Sequence, residues 1–323
     1  MYPMKFKPLC FDKIWGGNKI KKLLHPNLEM PLHCGESWEV SGVPGKISEV
    51  ANGFLAGNGL DELIEVYMSD LVGESVFQQY GNSFPLLVKF IDAHDNLSVQ
   101  VHPDDSLAQR RYGTNGKTEA WVVLQAEEGA GLYVGFRKGV TRDEYLSAVA
   151  EGTVDQLLAF YPVKAGDAFF IPAGTVHAIG KGVLLAEIQQ TSDCTYRIFD
   201  WNRVDAQGHA RELHTDEALE AIHFDAAADY RLSYEHIPDK TVLVVKNKYF
   251  NINALRFYSP LEKVYARIDS FVIYICLDGV ASLVYEGEET EIQRGEVVLL
   301  PAIATEMALI PHGSCQLLEV YIA

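Results

Sequence analysis

The stretch GDAFFIPAGTVHAIG, residues 166–180, decides the fold class of this chain. Its spacing, G-x5-P-x-G-x2-H, places a glycine before a short apolar run and a Pro–Gly turn before His177. Residues 295–306, GEVVLLPAIATE, repeat the first glycine and the proline, but Ile303 and Glu306 stand in place of the second glycine and the histidine. We interpret the two stretches as copies of one β unit, the second of which has lost its polar residues.

Short strand-like runs bounded by glycine and proline surround both copies, such as FPLLVKFI and AWVVLQA around the first and FNINALRF and FVIYICLDG around the second. Many short strands with regular turn signals predict a β-sandwich or barrel rather than a parallel α/β sheet. Helical periodicity appears in residues 59–80, 141–160 and 214–222, and Thr141 or Asp143 is a suitable N-cap for the second helix. The weakly periodic residues 224–240 read as a linker.

Composition excludes several classes of partner. A length of 323 residues favours about two domains, and the formal charge of −17 argues against nucleic acid or an acidic membrane surface. It does not exclude a small phosphorylated substrate, because a few basic residues reverse the field inside a cleft. The cysteines are odd in number and scattered, and we find no secretion signal or membrane-length apolar run, so we expect a cytoplasmic protein.

Residues 99–105, VQVHPDD, place two ligand-type side chains on one strand. Residues i and i+2 of a strand point to the same face, so Gln100 and His102 converge. Pro103 disfavours helix for His102 and keeps its backbone extended. A single histidine of this kind is more often a hydrogen-bonded strand end, and further residues are needed to make a site.

GKTEAW, residues 116–121, supplies Lys117 and Glu119, again two residues apart. A set of two imidazoles, a carboxylate and an amide suits Zn²⁺ or another borderline divalent ion, and the absence of cysteine argues against a closed structural zinc site. A metal-free acid–base cluster is the alternative. The candidate ligands are Gln100, His102, Glu119 and His177.

Arg197 lies in TSDCTYRIFDW, residues 191–201. Its guanidinium offers a fixed fork for phosphate or for an oxyanion. An ion pair with Asp193 or Asp200 is the structural alternative.

Taken in order, QVHPDD, GKTEAW, IPAGTVHAIG and TSDCTYR, together with IWGG (14–17) and GESWEVS (35–41), resemble the type I phosphomannose isomerases in their short bacterial form. The resemblance implies a cupin, or jelly-roll, fold, one zinc ion per chain, and interconversion of mannose 6-phosphate and fructose 6-phosphate through a cis-enediol. We therefore predict a mainly β protein of two cupin domains with a few inserted helices: a catalytic domain, 1–235, and a degenerate C-terminal domain, 236–323.

The same resemblance assigns roles to individual residues. It makes the four candidate ligands the zinc ligands, with three protein ligands and water as the alternative to Gln100, and implies an active-site set of Arg197, Lys117 and Glu187. It also matches Trp15 and Trp38 to the wall of a sugar pocket, for which buried core positions are the alternative. Thr118 stands where the family often has proline, which removes no functional group. A small phosphosugar is the implied partner, and neither nucleic acid, a membrane nor an obligate protein partner is implied.

Two other classes share these ligands. A metal-dependent cupin oxygenase leaves Lys117 and Arg197 unexplained, and a non-catalytic sugar-binding cupin keeps the pocket but shows no turnover. Further phosphate contacts are open among Lys89, Lys181 and Arg203, and we expect the remaining histidines to be structural or on the surface.

Overall fold

Antiparallel strands make up most of this computed structural model, which describes residues 1–204, 207–225 and 229–322. Within those ranges the helices are α1 (Leu60–Val72), α2 (Glu74–Tyr80), α3 (Asp105–Tyr112), α4 (Arg142–Glu151) and α5 (Thr215–Ala221), with a π-helical turn at Ile20–Leu24 and a 3₁₀ turn at Val154–Leu157. The strands are β1 (Met4–Lys5), β2 (Leu9–Gly17), β3 (Cys34–Val40), β4 (Gly42–Val43), β5 (Lys46–Ile47), β6 (Leu86–Asp92), β7 (Val99–Val101), β8 (Glu119–Ala126), β9 (Gly131–Phe136), β10 (Leu158–Pro162), β11 (Ala168–Ile171), β12 (His177–Ile179), β13 (Val183–Gln190), β14 (Tyr196–Phe199), β15 (Arg231–Leu232), β16 (Lys240–Lys246), β17 (Asn251–Phe257), β18 (Leu261–Val264), β19 (Val272–Tyr285), β20 (Glu288–Gln293), β21 (Val297–Leu300) and β22 (Glu306–Tyr321).

The first jelly roll is a sandwich of two sheets. A seven-stranded sheet has the order β15-β11-β8-β13-β6-β3-β2, and a five-stranded sheet has the order β10-β9-β12-β7-β14. Trp121 and Leu185 from the larger sheet pack with Leu132, Val134 and Ile179 from the smaller one in a single buried cluster. The chemistry-bearing motifs therefore lie on two layers that face each other across one core.

The second jelly roll is an eight-stranded sheet with the path β1-β21-β19-β22-β17-β16, to which β18 and β20 add through β22 and β19. Leu255, Phe257, Leu283 and Met307 belong to its own buried cluster. The predicted fold class, mainly β with two jelly rolls and a few inserted helices, is confirmed.

A common apolar layer joins the two jelly rolls. Val88 and Val122 from the seven-stranded sheet pack in one cluster with Ile273 and Val320 from the eight-stranded sheet. The chain also begins in the second sheet, because strand β1 pairs with β21. The division into 1–235 and 236–323 stays a prediction, and residues 226–228 of the expected linker 224–240 lie outside the described residues.

The repeat seen in the sequence is a repeat of backbone structure. Strands β11 and β21 each begin two residues after a glycine and end directly before a proline. The two glycines, Gly166 and Gly295, have φ of +88° and +87°. That region of backbone space disfavours residues with a Cβ, which explains why glycine survives at this point in both copies.

Helix ends follow local signals. Thr141 caps α4 by accepting from the Glu144 amide, and the Glu144 carboxylate accepts from the Thr141 amide in return. The helix predicted for 141–160 is too long, because Gly152 adopts the left-handed C-cap conformation and residues 158–162 form strand β10. No helix in the described part of the chain is long and apolar enough to cross a membrane.

The two repeat glycines give a matched stability test. A Cβ on Gly295 would lie 2.5 Å from the Leu24 Cβ, whereas a Cβ on Gly166 would meet no atom nearer than the His236 Nε2 at 3.8 Å. Both alanine variants carry the backbone strain, about 1–2 kcal/mol, but only Gly295→Ala adds a steric clash of about 1–3 kcal/mol. Chemical denaturation should therefore show a larger loss for Gly295→Ala than for Gly166→Ala. Equal losses would contradict the close approach at Leu24.

Candidate metal centre and active site

Strand β7 places the first candidate ligands between β12 and β14 of the five-stranded sheet. Gln100 is paired with His177 of β12 on one side and with Arg197 of β14 on the other. His102 follows the strand directly, with Pro103 after it. The strand register therefore brings Gln100, His177 and Arg197 into one row. His102 lies at the end of β7, next to this row.

The acidic candidates come from the facing sheet. Glu119 opens β8, where it is paired with Ile171 of β11 and Gln189 of β13. Glu187, two residues earlier on β13, is paired with Lys89 of β6 and Trp121 of β8. The candidate site is therefore assembled across the sandwich, with imidazoles from one sheet and carboxylates from the other.

His102, Glu119 and His177 form one compact, buried group. The His102 Nε2 lies 3.4 Å from the Glu119 Oε2, and the His177 Nε2 lies 3.3 Å from the Glu119 Oε1. Each of the three residues offers one potential ligand atom, and these three atoms lie within 4.8 Å of one another. The Gln100 Nε2 lies 3.3 Å from the His177 Nε2, so the amide borders the group.

Backbone carbonyls orient both imidazoles. The Nδ1 of His102 is 3.0 Å from the Cys194 carbonyl oxygen, and that of His177 is 2.8 Å from the Thr175 carbonyl oxygen. A carbonyl only accepts, so each Nδ1 donates a proton and each Nε2 keeps its lone pair. Burial, followed by the Lys117 charge, lowers the pKa of His102 to about 3, and burial also lowers the pKa of His177. Neutral imidazoles whose Nε2 carries a lone pair are typical metal ligands.

The donor set fits a divalent metal ion. The Glu119 side chain is fully buried, yet its Oε1 has no hydrogen-bond partner within the described residues. An unsatisfied buried carboxylate oxygen facing a neutral imidazole nitrogen is costly unless a cation binds there. Two imidazoles and one carboxylate are typical ligands of first-row divalent ions.

Lys117 balances this centre in the present arrangement. Its Nζ lies 2.9 Å from the His102 Nε2 and also contacts the Glu119 Oε2. Burial lowers the pKa of Lys117, but the carboxylates of Glu119 and Glu187 raise it above its usual range overall. Because the ammonium contacts two of the three candidate ligand residues, it would compete with a metal ion for the same negative charge.

A cleft of about 270 Å³ lies beside the metal centre. Trp15 and Trp38 line it, as the family resemblance implies. Its cationic lining residues are Lys13, Lys46, Lys89, Lys117, Arg197 and Arg211, and its acidic ones are Glu36, Glu187 and Asp193. Six cations against three acids, in a chain of net charge −17, make the cleft a local positive site.

Glu36, which sequence reasoning missed, ties this lining together. Its carboxylate accepts from the Trp38 indole at 2.8 Å and lies 3.0 Å from the Lys13 Nζ and 3.8 Å from the Lys89 Nζ. Burial raises the pKa of Glu36, but Lys89 and Lys13 outweigh it and bring the pKa to about 2. The available signal was the i, i+2 spacing of Glu36 and Trp38 in GESWEVS.

Arg197 lines the cleft and does not form the ion pair with Asp193 or Asp200 that was the structural alternative from sequence. Its Nη1 donates to the Glu212 carbonyl oxygen at 2.8 Å, and within the described residues no carboxylate pairs with it. Asp200 instead accepts from Arg203 and Arg211 at 2.7 Å each. Burial and the neighbouring Arg211 lower the pKa of Arg197. The guanidinium therefore lines the cleft without an ion-pair partner among the described residues.

Of the three basic residues considered as phosphate contacts, the structure places one in the cleft. Lys89 lines the cleft, whereas Arg203 and Lys181 are not among its lining residues. Arg203 is occupied by Asp200 and by the Asn96 carbonyl oxygen. Arg211, which the sequence reading passed over, lines the cleft instead.

Two packed jelly rolls, the first holding a histidine–carboxylate centre beside a cationic cleft, define a metal-site cupin. Comparison with known proteins narrows this class. Residues 4–123 match the model of the type I phosphomannose isomerase catalytic domain, and residues 239–322 match that of the mannose-6-phosphate isomerase cupin domain. The chain belongs to the type I phosphomannose isomerase family.

Individual relatives agree over nearly the whole length. The mannose-6-phosphate isomerase of Streptococcus mutans is 34% identical over 93% of this chain and 92% of its own. The mannose-6-phosphate isomerase ManA of Bacillus subtilis is 33% identical over 97% of each chain. A crystal structure of the mannose 6-phosphate isomerase from Bacillus subtilis superposes with a TM-score of 0.89 at 32% identity, covering all of both chains.

Metal binding gives a direct test of the centre. His102→Ala removes one of two imidazoles, so we expect Co²⁺ affinity measured by equilibrium dialysis to fall by at least about 100-fold, a larger effect than loss of a residue that only supports a ligand. The matched control is His94→Ala, which changes an exposed histidine and should bind as the unsubstituted chain does. Unchanged Co²⁺ affinity in folded His102→Ala would place the metal elsewhere.

Proposed function

We propose that this chain catalyses the reversible isomerisation of mannose 6-phosphate and fructose 6-phosphate with a bound zinc ion. The observation that carries the proposal is that the buried group of His102, Glu119 and His177 lies beside a cationic cleft, in a chain of this family. Gln100 is the proposed fourth ligand, supported by its position beside His177. When bound, the metal supplies Lewis-acid stabilisation of negative charge on a sugar oxygen.

The isomerisation moves a proton between C1 and C2 of the sugar through a cis-enediol. It requires a group that accepts and returns this proton, and cationic groups that stabilise the negative charge developing on oxygen. Glu187 is our proposed proton-transfer group. Its Oε2 accepts from the Trp121 indole at 2.9 Å, and its Oε1 lies 3.2 Å from the Lys89 Nζ and 3.7 Å from the Lys117 Nζ. Glu187 is one of the residues that line the cleft.

Lys117 and Arg197 are the proposed electrostatic catalysts. Lys117 connects Glu119 to Glu187, so it lies between the metal centre and the proposed proton-transfer group. Arg197 presents an uncompensated guanidinium to the same cleft. A fixed, partly desolvated cation stabilises an enediolate or a phosphoryl dianion more strongly than a solvated one does.

The proposal extends to the organisation of the chain. Residues 1–235 form the catalytic domain and residues 236–323 a second cupin domain without a metal centre. The partner is the small phosphosugar itself, and the enzyme acts in the cytoplasm, as the cysteine pattern predicts.

The reaction and the metal are tested together. Purified, zinc-loaded protein is incubated with mannose 6-phosphate, and fructose 6-phosphate is followed by a coupled assay. We expect turnover that a chelator abolishes and added Zn²⁺ restores. Binding of mannose 6-phosphate without turnover would favour the sugar-binding cupin, and oxygen consumption with bound iron would favour the oxygenase.

Arg197 is tested separately from the metal. Arg197→Ala removes an uncompensated charge from the cleft, so we expect kcat to fall by about 100- to 1,000-fold while bound zinc is retained. Arg137→Ala, which changes an exposed arginine, is the control and should keep full turnover. Full activity in Arg197→Ala would remove Arg197 from the mechanism, and loss of zinc would show that it acts on the metal centre instead.

A further inference from the structure

The second jelly roll contacts the loop that carries Lys117 through one carboxylate, that of Asp105. Asp105 is the first residue of helix α3, three residues after His102. Its Oδ2 accepts from the Tyr249 hydroxyl at 2.5 Å, and its Oδ1 accepts from the Gly116 amide at 3.0 Å. The proposed mechanism uses neither Asp105 nor Tyr249.

Tyr249 is held rigidly on the side of the second jelly roll. It lies in the turn between β16 and β17, where the Asn247 side chain accepts from the Tyr249 amide at 2.7 Å and from the Phe250 amide at 3.2 Å. Phe250 is fully buried in the layer shared by the two jelly rolls, and the Tyr249 ring packs against that layer. An Asx turn anchored on a buried aromatic side chain fixes the direction of the Tyr249 hydroxyl.

Asp105 links Tyr249 by hydrogen bonds to the backbone on both sides of Lys117. Besides the Gly116 amide, its Oδ1 accepts from the Gln190 side chain at 2.9 Å, and the Oε1 of Gln190 accepts from the Thr118 amide at 2.9 Å. Gln190 and Thr118 are buried. Burial raises the pKa of Asp105, but the hydrogen bonds from Tyr249, Gln190 and Gly116 lower it overall.

The loop needs such an anchor because it has no strand ladder of its own. Gly116, Lys117 and Thr118 precede strand β8 and have no regular secondary structure. The loop's other backbone hydrogen bonds run from the Lys117 amide to the Pro103 carbonyl oxygen at 3.0 Å and from the Gln190 amide to the Thr118 carbonyl oxygen at 3.1 Å. Buried backbone amides must be satisfied, and here Asp105 and Gln190 satisfy the two that flank Lys117.

We propose that Tyr249 and Asp105 are positioning residues, through which the second jelly roll holds the Lys117 loop in register with the metal centre. The role in turnover rests on the proposed function; the role in holding the loop does not. This gives the second jelly roll a role in the site, although none of its described residues lines the cleft. A small displacement of a catalytic group by a distant change is enough to reduce turnover strongly.

Tyr249→Phe tests the chain of contacts at its far end. It deletes one hydroxyl and keeps the packed ring. We expect amide hydrogen exchange in residues 113–118 to accelerate about fivefold or more, and kcat for mannose 6-phosphate to fall about tenfold with KM within about twofold. Asp105→Ala should act in the same direction, and adding Tyr249→Phe to it should change little further, because both act through one network.

Asp269→Ala is the matched control. Asp269, between β18 and β19, joins the second jelly roll to the start of helix α2 through two carboxylate oxygens, which accept from the Glu74 amide at 2.7 Å and the Ser75 amide at 2.8 Å. These hydrogen bonds do not involve the Lys117 loop. It should leave exchange in residues 113–118 and kcat unchanged. Circular dichroism verifies that each variant is folded.

The outcomes separate the two proposals. Faster exchange in residues 113–118 of Tyr249→Phe but not Asp269→Ala, with the fall in kcat, supports the positioning role. Unchanged exchange, or faster exchange with unchanged kcat, overturns it. If the unsubstituted chain shows no turnover, the proposed function fails, and the exchange measurement alone still decides whether Tyr249 holds the loop.

Discussion

The buried charge of Glu119 is the constraint on which the rest of the site depends. A carboxylate with no exposed surface is strongly destabilising unless cations or hydrogen-bond donors compensate it. Lys117 contacts one of its oxygens, and His102 and His177 face the two. The compensation is incomplete, because the Glu119 Oε1 has no donor within the described residues. The fold therefore leaves one buried carboxylate oxygen available to a further cation.

Charges alternate outward from this carboxylate. Glu119 is next to Lys117, Lys117 approaches Glu187, Glu187 is paired with Lys89, and Lys89 approaches Glu36, which is paired with Lys13. Each buried charge has an opposite neighbour, which lowers the cost of keeping the row inside the sandwich. Glu36 and Glu187 belong to this row, and the third acidic group of the cleft, Asp193, has its Oδ2 3.6 Å from the Lys46 Nζ. Arg197 therefore leaves the cleft cationic. An anionic substrate completes the balance that the protein leaves open.

Much of this arrangement was predictable from local sequence, because strands convert spacing into direction. The i, i+2 pair Gln100 and His102, the turn before His177 and the repeated glycine–proline spacing each describe one strand or one turn, and each lies where that pattern predicts. Glu36 and Arg211 were missed since their roles arise from contacts between distant strands and loops. Strand β22 was missed because Pro311 and Gly313 interrupt its apolar pattern, while pairing with β17, β18 and β19 supports it from outside.

The second jelly roll shows what separates a binding centre from a structural cluster. It also buries a carboxylate, Glu319, whose Oε1 lies 2.6 Å from the Lys263 Nζ and accepts from the Tyr265 hydroxyl at 2.5 Å. Its Oε2 accepts from the side-chain Nδ2 of Asn253 at 2.8 Å. Both oxygens therefore have hydrogen-bond donors. These partners, Lys263, Tyr265 and Asn253, direct N–H or O–H groups at the carboxylate, and a group that donates a proton there offers no lone pair to a metal ion. In the first jelly roll the lysine satisfies one oxygen, while neutral imidazole nitrogens face the carboxylate. Because the two copies solve the same desolvation problem with different donors, only the first retains lone pairs for a cation.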